Sequence, residues 1–196
     1  IRDRSITDLI ESGNYKAVVS NLLEAKGLNY GSLPKGLLKF HRYATNNRTA
    51  MEEHLTEGAL YAASSDGEVN IHFTVSHEHL ADFKVLVAKK KADYERRYGV
   101  RYHISFSEQK PSTDTIAVDA NNEPFRENGR PLFRPGGHGA LIENLNDIDA
   151  EIIFVKNIDN VVPDRLKEPT VRFKKIIGGV LVSLQTEINR YITMLK

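Results

Sequence analysis

The segment Pro135-Gly136-Gly137-His138-Gly139 holds the residues best suited to bind a ligand through the backbone. Glycines let the main chain approach a ligand closely, and backbone amides at the start of a helix favour anions. We predict a helix at about 138–147, which places this glycine loop at a helix N-terminus. Such amides also suit the edge of a nucleobase. The loop is therefore a candidate nucleotide-binding site, while a tight structural turn explains the same glycines.

A second candidate is the polar segment Asn157-Ile158-Asp159-Asn160, which follows the apolar run Ile152-Ile153-Phe154-Val155. The run predicts a strand, so the polar residues would stand at its carboxyl end, where open parallel α/β sheets bind ligands. A carboxylate flanked by amides suits Mg²⁺ or ribose hydroxyls, because hard cations prefer oxygen ligands. Asn and Asp also begin turns after strands, so both interpretations stand.

Two single residues complete the candidate chemistry. Lys35, between Pro34 and Gly36, could present an ammonium group to a phosphate. Gln109 follows a predicted strand at 100–107 and carries the paired donor and acceptor that can read a base. Each also fits an ordinary exposed side chain.

Composition narrows the class of function. The chain has 196 residues with 27 Lys and Arg against 26 Asp and Glu, so we expect no nucleic-acid partner of the kind that needs a basic face. It has no cysteine, which excludes disulfides, cysteine-ligated zinc and a cysteine nucleophile. No apolar run approaches the ~20 residues that span a bilayer, and no signal peptide is evident. We therefore predict a cytoplasmic protein without a membrane partner.

Helices and strands alternate along the chain. Strands separated by helices predict parallel pairing through right-handed crossovers, and hence an α/β fold. We expect one domain over residues 1–196 that includes a helical N-terminal piece at 1–30 and a polar excursion at 110–134. The main predicted elements are strands at 69–75, 100–107 and 152–155 and helices at 49–65, 77–97, 138–147 and 171–195.

Several of these segments together resemble a known family. In chain order, Pro34–Leu37, the helix at 49–65, Phe106–Gln109, the glycine loop and Ile153–Asn160 are similar to blocks of the UDP-sugar pyrophosphorylases. The stretch from Pro34 to Asn160 also resembles the bacterial family called domain of unknown function 4301, found widely in Bacteroidetes. We interpret that family as a diverged relative of the nucleotidyltransferases. The resemblance to it covers most of the chain, whereas the resemblance to the enzymes is limited to the short blocks.

The resemblance implies a three-layer, mostly parallel sheet of the nucleotide-diphospho-sugar transferase type, which is Rossmann-like. It also implies transfer of a uridylyl group from UTP to a sugar 1-phosphate with Mg²⁺, and a nucleotide or nucleotide-sugar as partner. The implied roles are phosphate contact for Lys35; base contact for Gln109, Gly136 and Gly137; a place near the nucleotide for His138 and Gly139; and metal or ribose binding for Asp159, helped by Asn157 and Asn160.

One part of the pattern of the UDP-sugar pyrophosphorylases is missing. The family has a glycine-rich phosphate loop with an arginine shortly before the Pro-Lys-Gly motif, where this chain has Leu28-Asn29-Tyr30-Gly31-Ser32-Leu33. We therefore expect a fragment that lacks the first strand, or a protein that has abandoned the chemistry. A nucleotide-sugar binding domain without catalysis and a structural or interaction domain are the alternatives. The sequence specifies neither the sugar, nor the nucleotide, nor the oligomeric state.

Overall fold

The computed structural model of the chain describes residues 5–195. The chain divides into two compact units. The first comprises the residues up to His54 together with Asn157–Pro163, and the second comprises Leu55–Lys156 together with Asp164–Lys196. The expectation of a single domain over 1–196 stays a prediction.

The first unit is built from short elements. Ser5 caps the first helix through a capping box with Asp8, and Asn14 caps the second by accepting from the Ala17 amide. Both helices lie in the predicted N-terminal piece at 1–30, of which residues 1–4 lie outside the described residues. The elements are α1 Ile6–Glu11, α2 Tyr15–Leu23, β1 Lys39–Arg42 and β2 Asn47–Thr49, the two strands pairing antiparallel.

Helix α3, Ala50–Tyr61, begins where its sequence predicts. The Thr49 amide donates to Glu52 Oε2 at 2.9 Å, and the Glu52 amide donates to Thr49 Oγ1 at 3.2 Å. This reciprocal pair satisfies two amides that the helix itself cannot. Met51 and Leu55, which lie four residues apart on one face of the helix, are fully buried.

The second unit is centred on a parallel pair of strands. Strand β3, Glu68–Val75, is followed by helix α4, Leu80–Tyr98, and strand β4, Arg101–Glu108. The strands pair in parallel with Val69 opposite Tyr102, so the predicted strand, helix, strand unit is confirmed. The three-layer, mostly parallel sheet stays a prediction.

The two faces of this strand pair differ sharply. One face carries the core, in which Leu55, Val69, Tyr94 and Tyr102 are buried together and the Tyr102 hydroxyl donates to the Leu55 carbonyl at 2.7 Å. The other face is polar along both strands, as the alternating sequence predicts. Its residues are Glu68, Asn70, His72 and Thr74 on β3, and Arg101, His103, Ser105 and Ser107 on β4.

The polar excursion at 110–134 folds into small antiparallel pairs. Its inner turn contains Asn128 and Gly129, both with positive φ, which is the geometry that two-residue hairpin turns favour. The pairs join β5 with β8 and β6 with β7. The strands are β5 Thr115–Ile116, β6 Arg126–Glu127, β7 Arg130–Pro131 and β8 Phe133–Arg134.

The predicted strand at 152–155 is wrong, because the structure forms no strand there. Phe154 instead anchors the segment through its side chain, with its ring 5.2 Å from the Tyr61 ring and against the backbone of Gly178. Ile153 and Val155 are exposed. A short apolar run does not by itself specify a ladder partner, and none pairs with this one among residues 5–195.

Two further helices complete the second unit, α5 Ile142–Asn146 and α6 Lys167–Leu195. Helix α6 begins four residues before its predicted start, with Pro169 in its first turn, where a missing amide donor costs nothing. Gly178 permits the close packing on Phe154. No helix in the described part of the chain is both long and apolar enough to cross a membrane.

Candidate functional sites

The first candidate site joins two predicted residues that lie 124 positions apart in the chain. Lys35 Nζ lies 2.5 Å from Asp159 Oδ2. The lysine starts a short 3₁₀ turn, Lys35–Leu37, directly after Pro34. Its side chain is 65% exposed and that of Asp159 is 36% exposed, so solvent reaches both charged groups. A ligand that carries phosphates can therefore reach the ammonium group.

The segment that carries Asp159 is a tight turn held by α3. The Asn160 amide donates to the Asn157 carbonyl at 3.1 Å, which closes the turn. His54 Nε2 lies 3.0 Å from the Ile158 carbonyl oxygen. A carbonyl only accepts, so Nε2 of His54 carries the proton. Both Asn157 and Asn160 are exposed, one before and one after Asp159 in the sequence.

The start of α3 is itself fixed by buried charges. Glu53 is fully buried and accepts from the Tyr43 hydroxyl at 2.7 Å and from Arg48 at 3.4 Å. His41 lies 3.1 Å from the same carboxylate, and the Arg48 guanidinium stacks 3.9 Å above the Tyr43 ring. Paired in this way the buried charges fix the helix against β1 and β2. The network is structural and gives His54 a rigid support.

The side chains around Asp159 offer few ligands for a Mg²⁺ ion. Within residues 5–195, no group of three or more His, Cys, Asp or Glu side chains is arranged to hold a metal ion. Mg²⁺ is commonly held by one or two carboxylates together with the phosphate oxygens of a substrate. One carboxylate therefore fits a Mg²⁺ that arrives with the phosphates of a nucleotide, rather than a permanently bound ion.

The second candidate site brings Gln109 to the glycine loop. Gln109 Nε2 donates to the Gly136 carbonyl and to Thr113 Oγ1, both at 3.3 Å. The chain is tight at Gly136, where a Cβ would lie 2.6 Å from the Thr113 carbonyl oxygen. At Gly137 and Gly139 a Cβ would meet nothing within 4 Å. Gly136 is therefore needed for packing, whereas the next two glycines border open space.

The helix after the glycine loop starts as predicted but not as an α-helix. Residues His138–Leu141 form a 3₁₀ turn that leads into α5. Gly137 precedes this turn, and no side chain caps it. His138 is exposed. The loop therefore presents its backbone and the His138 imidazole to solvent at the start of the turn.

Asn144 attaches helix α5 to the strand pair. The residues next to it in the sequence give no signal that predicts this role. Its Nδ2 donates to Ser107 Oγ at 2.9 Å and to the Glu108 carbonyl at 2.8 Å. Ser107 in turn bonds His72 Nε2 at 2.8 Å, and His72 Nδ1 reaches Ser105 Oγ at 2.8 Å. Burial lowers the pKa of His72, so its neutral form is favoured.

The first unit thus carries one polar site, at Lys35 and Asp159, and the second unit carries another, at Gln109 and the glycine loop. The chain belongs to the family described as Domain of unknown function (DUF4301), whose model matches residues 2–196. No curated protein and no solved structure matches the chain. The predicted family membership is thus confirmed over nearly the whole chain, while the relation to nucleotidyltransferases stays a prediction.

Proposed function

We propose that the chain is a sugar-1-phosphate nucleotidyltransferase-like domain that binds a uridine nucleotide. The contact between Lys35 and Asp159 carries this proposal. The two residues come from separate sequence blocks, and the pyrophosphorylase resemblance assigns both to the phosphate and metal chemistry. The contact of Gln109 with Gly136 supports it independently, since the same resemblance assigns both to the base.

The proposed reaction is a displacement at phosphorus. A phosphate oxygen of the sugar 1-phosphate forms a bond to the α-phosphorus of UTP, the bond from that phosphorus to the bridging oxygen breaks, and pyrophosphate leaves. Such transfer depends on positioning and charge neutralisation rather than on a protein nucleophile. Lys35 would contact the phosphates and offset their charge. Asp159 would hold Mg²⁺, which when bound neutralises charge on the leaving pyrophosphate.

The glycine loop would hold the base. Both hydrogen bonds of Gln109 use Nε2, which leaves Oε1 as an acceptor for an imide N–H as far as residues 5–195 are concerned. Gly137 and Gly139 border open space that a planar ring can enter. The pyrophosphorylase resemblance assigns His138, at the exposed start of the 3₁₀ turn, to the nucleotide. It gives Asn157 and Asn160 a supporting role beside Asp159.

The direct test is pyrophosphate release by the full-length protein from UTP and a panel of sugar 1-phosphates with Mg²⁺. We expect release with at least one sugar 1-phosphate and its loss in Asp159→Asn. Lys26→Ala is a matched control, because Lys26 forms an exposed ion pair with Glu24 at 2.7 Å. Absence of both nucleotide binding and release in the folded protein would overturn the proposal.

A second candidate is nucleotide-sugar binding without turnover, and residues 28–33 favour it. They replace the glycine-rich, arginine-containing loop of the enzymes. In the structure they fold back on α2, where the Tyr30 amide donates to the Leu22 carbonyl at 3.0 Å and the Gly31 amide to the Leu23 carbonyl at 3.1 Å. Nucleotide binding without pyrophosphate release would select this candidate.

A further inference from the structure

A single buried side chain ties the helix after the glycine loop to the end of β4. Asn144 is 2% exposed, and its Nδ2 donates to Ser107 Oγ at 2.9 Å and to the Glu108 carbonyl at 2.8 Å. Glu108 is the residue directly before Gln109. Asn144 therefore fixes the backbone from which the Gln109 side chain projects.

Gln109 and Asn144 both connect the end of β4 to the segment from Gly136 to Asn144. Gln109 bonds forward to the Gly136 carbonyl, and Asn144 bonds back to Glu108. The backbone from Gly136 to Asn144 is thus held at both ends against the end of β4. Lys110 adds an ion pair with Asp147 at 2.7 Å, but this pair is exposed and contributes little.

Asn144 contributes two donated hydrogen bonds that fix geometry, but its side chain does not maximise stability. Within residues 5–195, the buried Oδ1 of Asn144 has no hydrogen-bond partner. A buried acceptor without a partner costs free energy, which an apolar side chain of similar size would avoid. An apolar side chain would also lose both donated bonds, and an aspartate would place a second acceptor against the Glu108 carbonyl. The position therefore favours fixed geometry at the expense of stability.

We propose that Asn144 is a positioning residue that holds Gln109 in register with the glycine loop, so that Gln109 Oε1 and the exposed backbone at Gly137 are presented together to the edge of a pyrimidine base. The proposal rests on the proposed function for the identity of the ligand. Because Asn144 acts through Gln109 and Gly136, its loss affects recognition of the base and not of a triphosphate group.

The test compares Asn144→Ala and Asn144→Asp with Asn146→Ala, which alters the same residue type at an exposed position of the same helix. Calorimetry would measure the binding of UTP and of inorganic triphosphate, each with Mg²⁺. Both Asn144 variants are expected to bind UTP about tenfold more weakly, while their triphosphate affinity stays that of the wild type. Ser107→Ala, which removes one of the two acceptors, gives a smaller loss in the same direction and serves if Asn144 variants fail to fold.

Unchanged UTP affinity, or an equal loss for UTP and triphosphate, would overturn the proposal. If the wild type binds no UTP, the proposed function fails, and amide hydrogen exchange at residues 136–139 then tests the positioning role alone. Faster exchange in Asn144→Ala than in Asn146→Ala supports that role. Equal exchange in the two variants contradicts it.

Discussion

Lys35 and Asp159 gain little stability from each other, because an exposed ion pair contributes about 0–1 kcal/mol. The turn that carries Asp159 is nevertheless closed by its own backbone and held by His54. Gly136 is fitted closely under Gln109 and Thr113. At the first site, therefore, the turn is fixed while both charged groups of the ion pair are reached by solvent. This arrangement suits ligand binding better than it suits folding.

The phosphate role of Lys35 is tested by Lys35→Ala. We expect the affinity for UTP with Mg²⁺ to fall about tenfold, because one charge contact to phosphate is lost. The melting temperature should stay close to that of the wild type, since the ion pair is exposed. Titration calorimetry and thermal unfolding measure the two quantities. An equal loss of affinity in Lys26→Ala would assign the effect to general charge instead.

Neighbouring glycines of the loop are expected to respond differently to alanine. Gly136→Ala places a Cβ 2.6 Å from the Thr113 carbonyl oxygen and should lower the free energy of unfolding by about 1–3 kcal/mol. Gly137→Ala meets no neighbour within 4 Å and has a φ of −68°, so folding should be unaffected. Its added methyl group should still weaken nucleotide binding. Full nucleotide affinity in a folded Gly137→Ala would mean that the loop is only a turn.

At the scale of elements, the strand pair β3 and β4 links the core to the second site. Its apolar face packs around Tyr102, and its polar face carries the network of His72, Ser105 and Ser107 to Asn144. One face therefore supplies stability, while the other fixes side chains at the carboxyl end of β4. The position of helix α5 depends on the polar face, because Asn144 of that helix bonds Ser107 on it.

The burial of His72 is expected to make stability depend on pH. Burial lowers the pKa of His72 below its ordinary value of 6.5, so the unfolded chain binds this proton more readily than the folded one. Stability from this group is complete above about pH 6.5 and is lost as pH falls toward the lower folded pKa. We expect His72→Asn to have a flatter dependence of melting temperature on pH between about 7.5 and 5. A slope equal to that of the wild type would show that His72 does not contribute.

The capping pair of α3 gives a prediction for the first unit. Thr49→Ala removes the hydroxyl that accepts from the Glu52 amide, and should lower the free energy of unfolding by about 1 kcal/mol. Thr186→Ala on α6 is the control, because its hydroxyl only bonds the Val182 carbonyl within an exposed helix. Urea denaturation compares the two. A larger loss for Thr186→Ala would argue against the cap as the determinant.

The elements that sequence predicted best carry their own signals. Helix α3 has a capping pair, and β3 alternates strictly, so each is specified by neighbours in the chain. The run at 152–155 has no comparable local signal. A strand forms only with a neighbouring strand, and an apolar run does not specify which segment that neighbour would be. The same limit applies to the sites. His54 and Asn144 act on residues 104 and 36 positions away, and their local sequence gives no sign of it.

For the whole molecule, the match of the family model to residues 2–196 shows that one family pattern covers nearly the entire chain. With a net charge of +1, selective binding must come from local groups rather than from an overall field. Lys35 with Asp159 and Gln109 with the glycine loop are the local groups that we propose for it. The uridylyl transfer remains a proposal, which nucleotide binding and pyrophosphate release test together, and the three-layer sheet remains an expectation that neither measurement addresses.

The most direct test of the central claim is titration calorimetry of the full-length protein with UTP and Mg²⁺. We predict a dissociation constant on the order of micromolar, with weaker binding when Mg²⁺ is withheld or Asp159 is changed to Asn. Unfolding measurements on the same samples would show that each is folded. A folded protein that gives no heat of binding with UTP and Mg²⁺ would contradict the account.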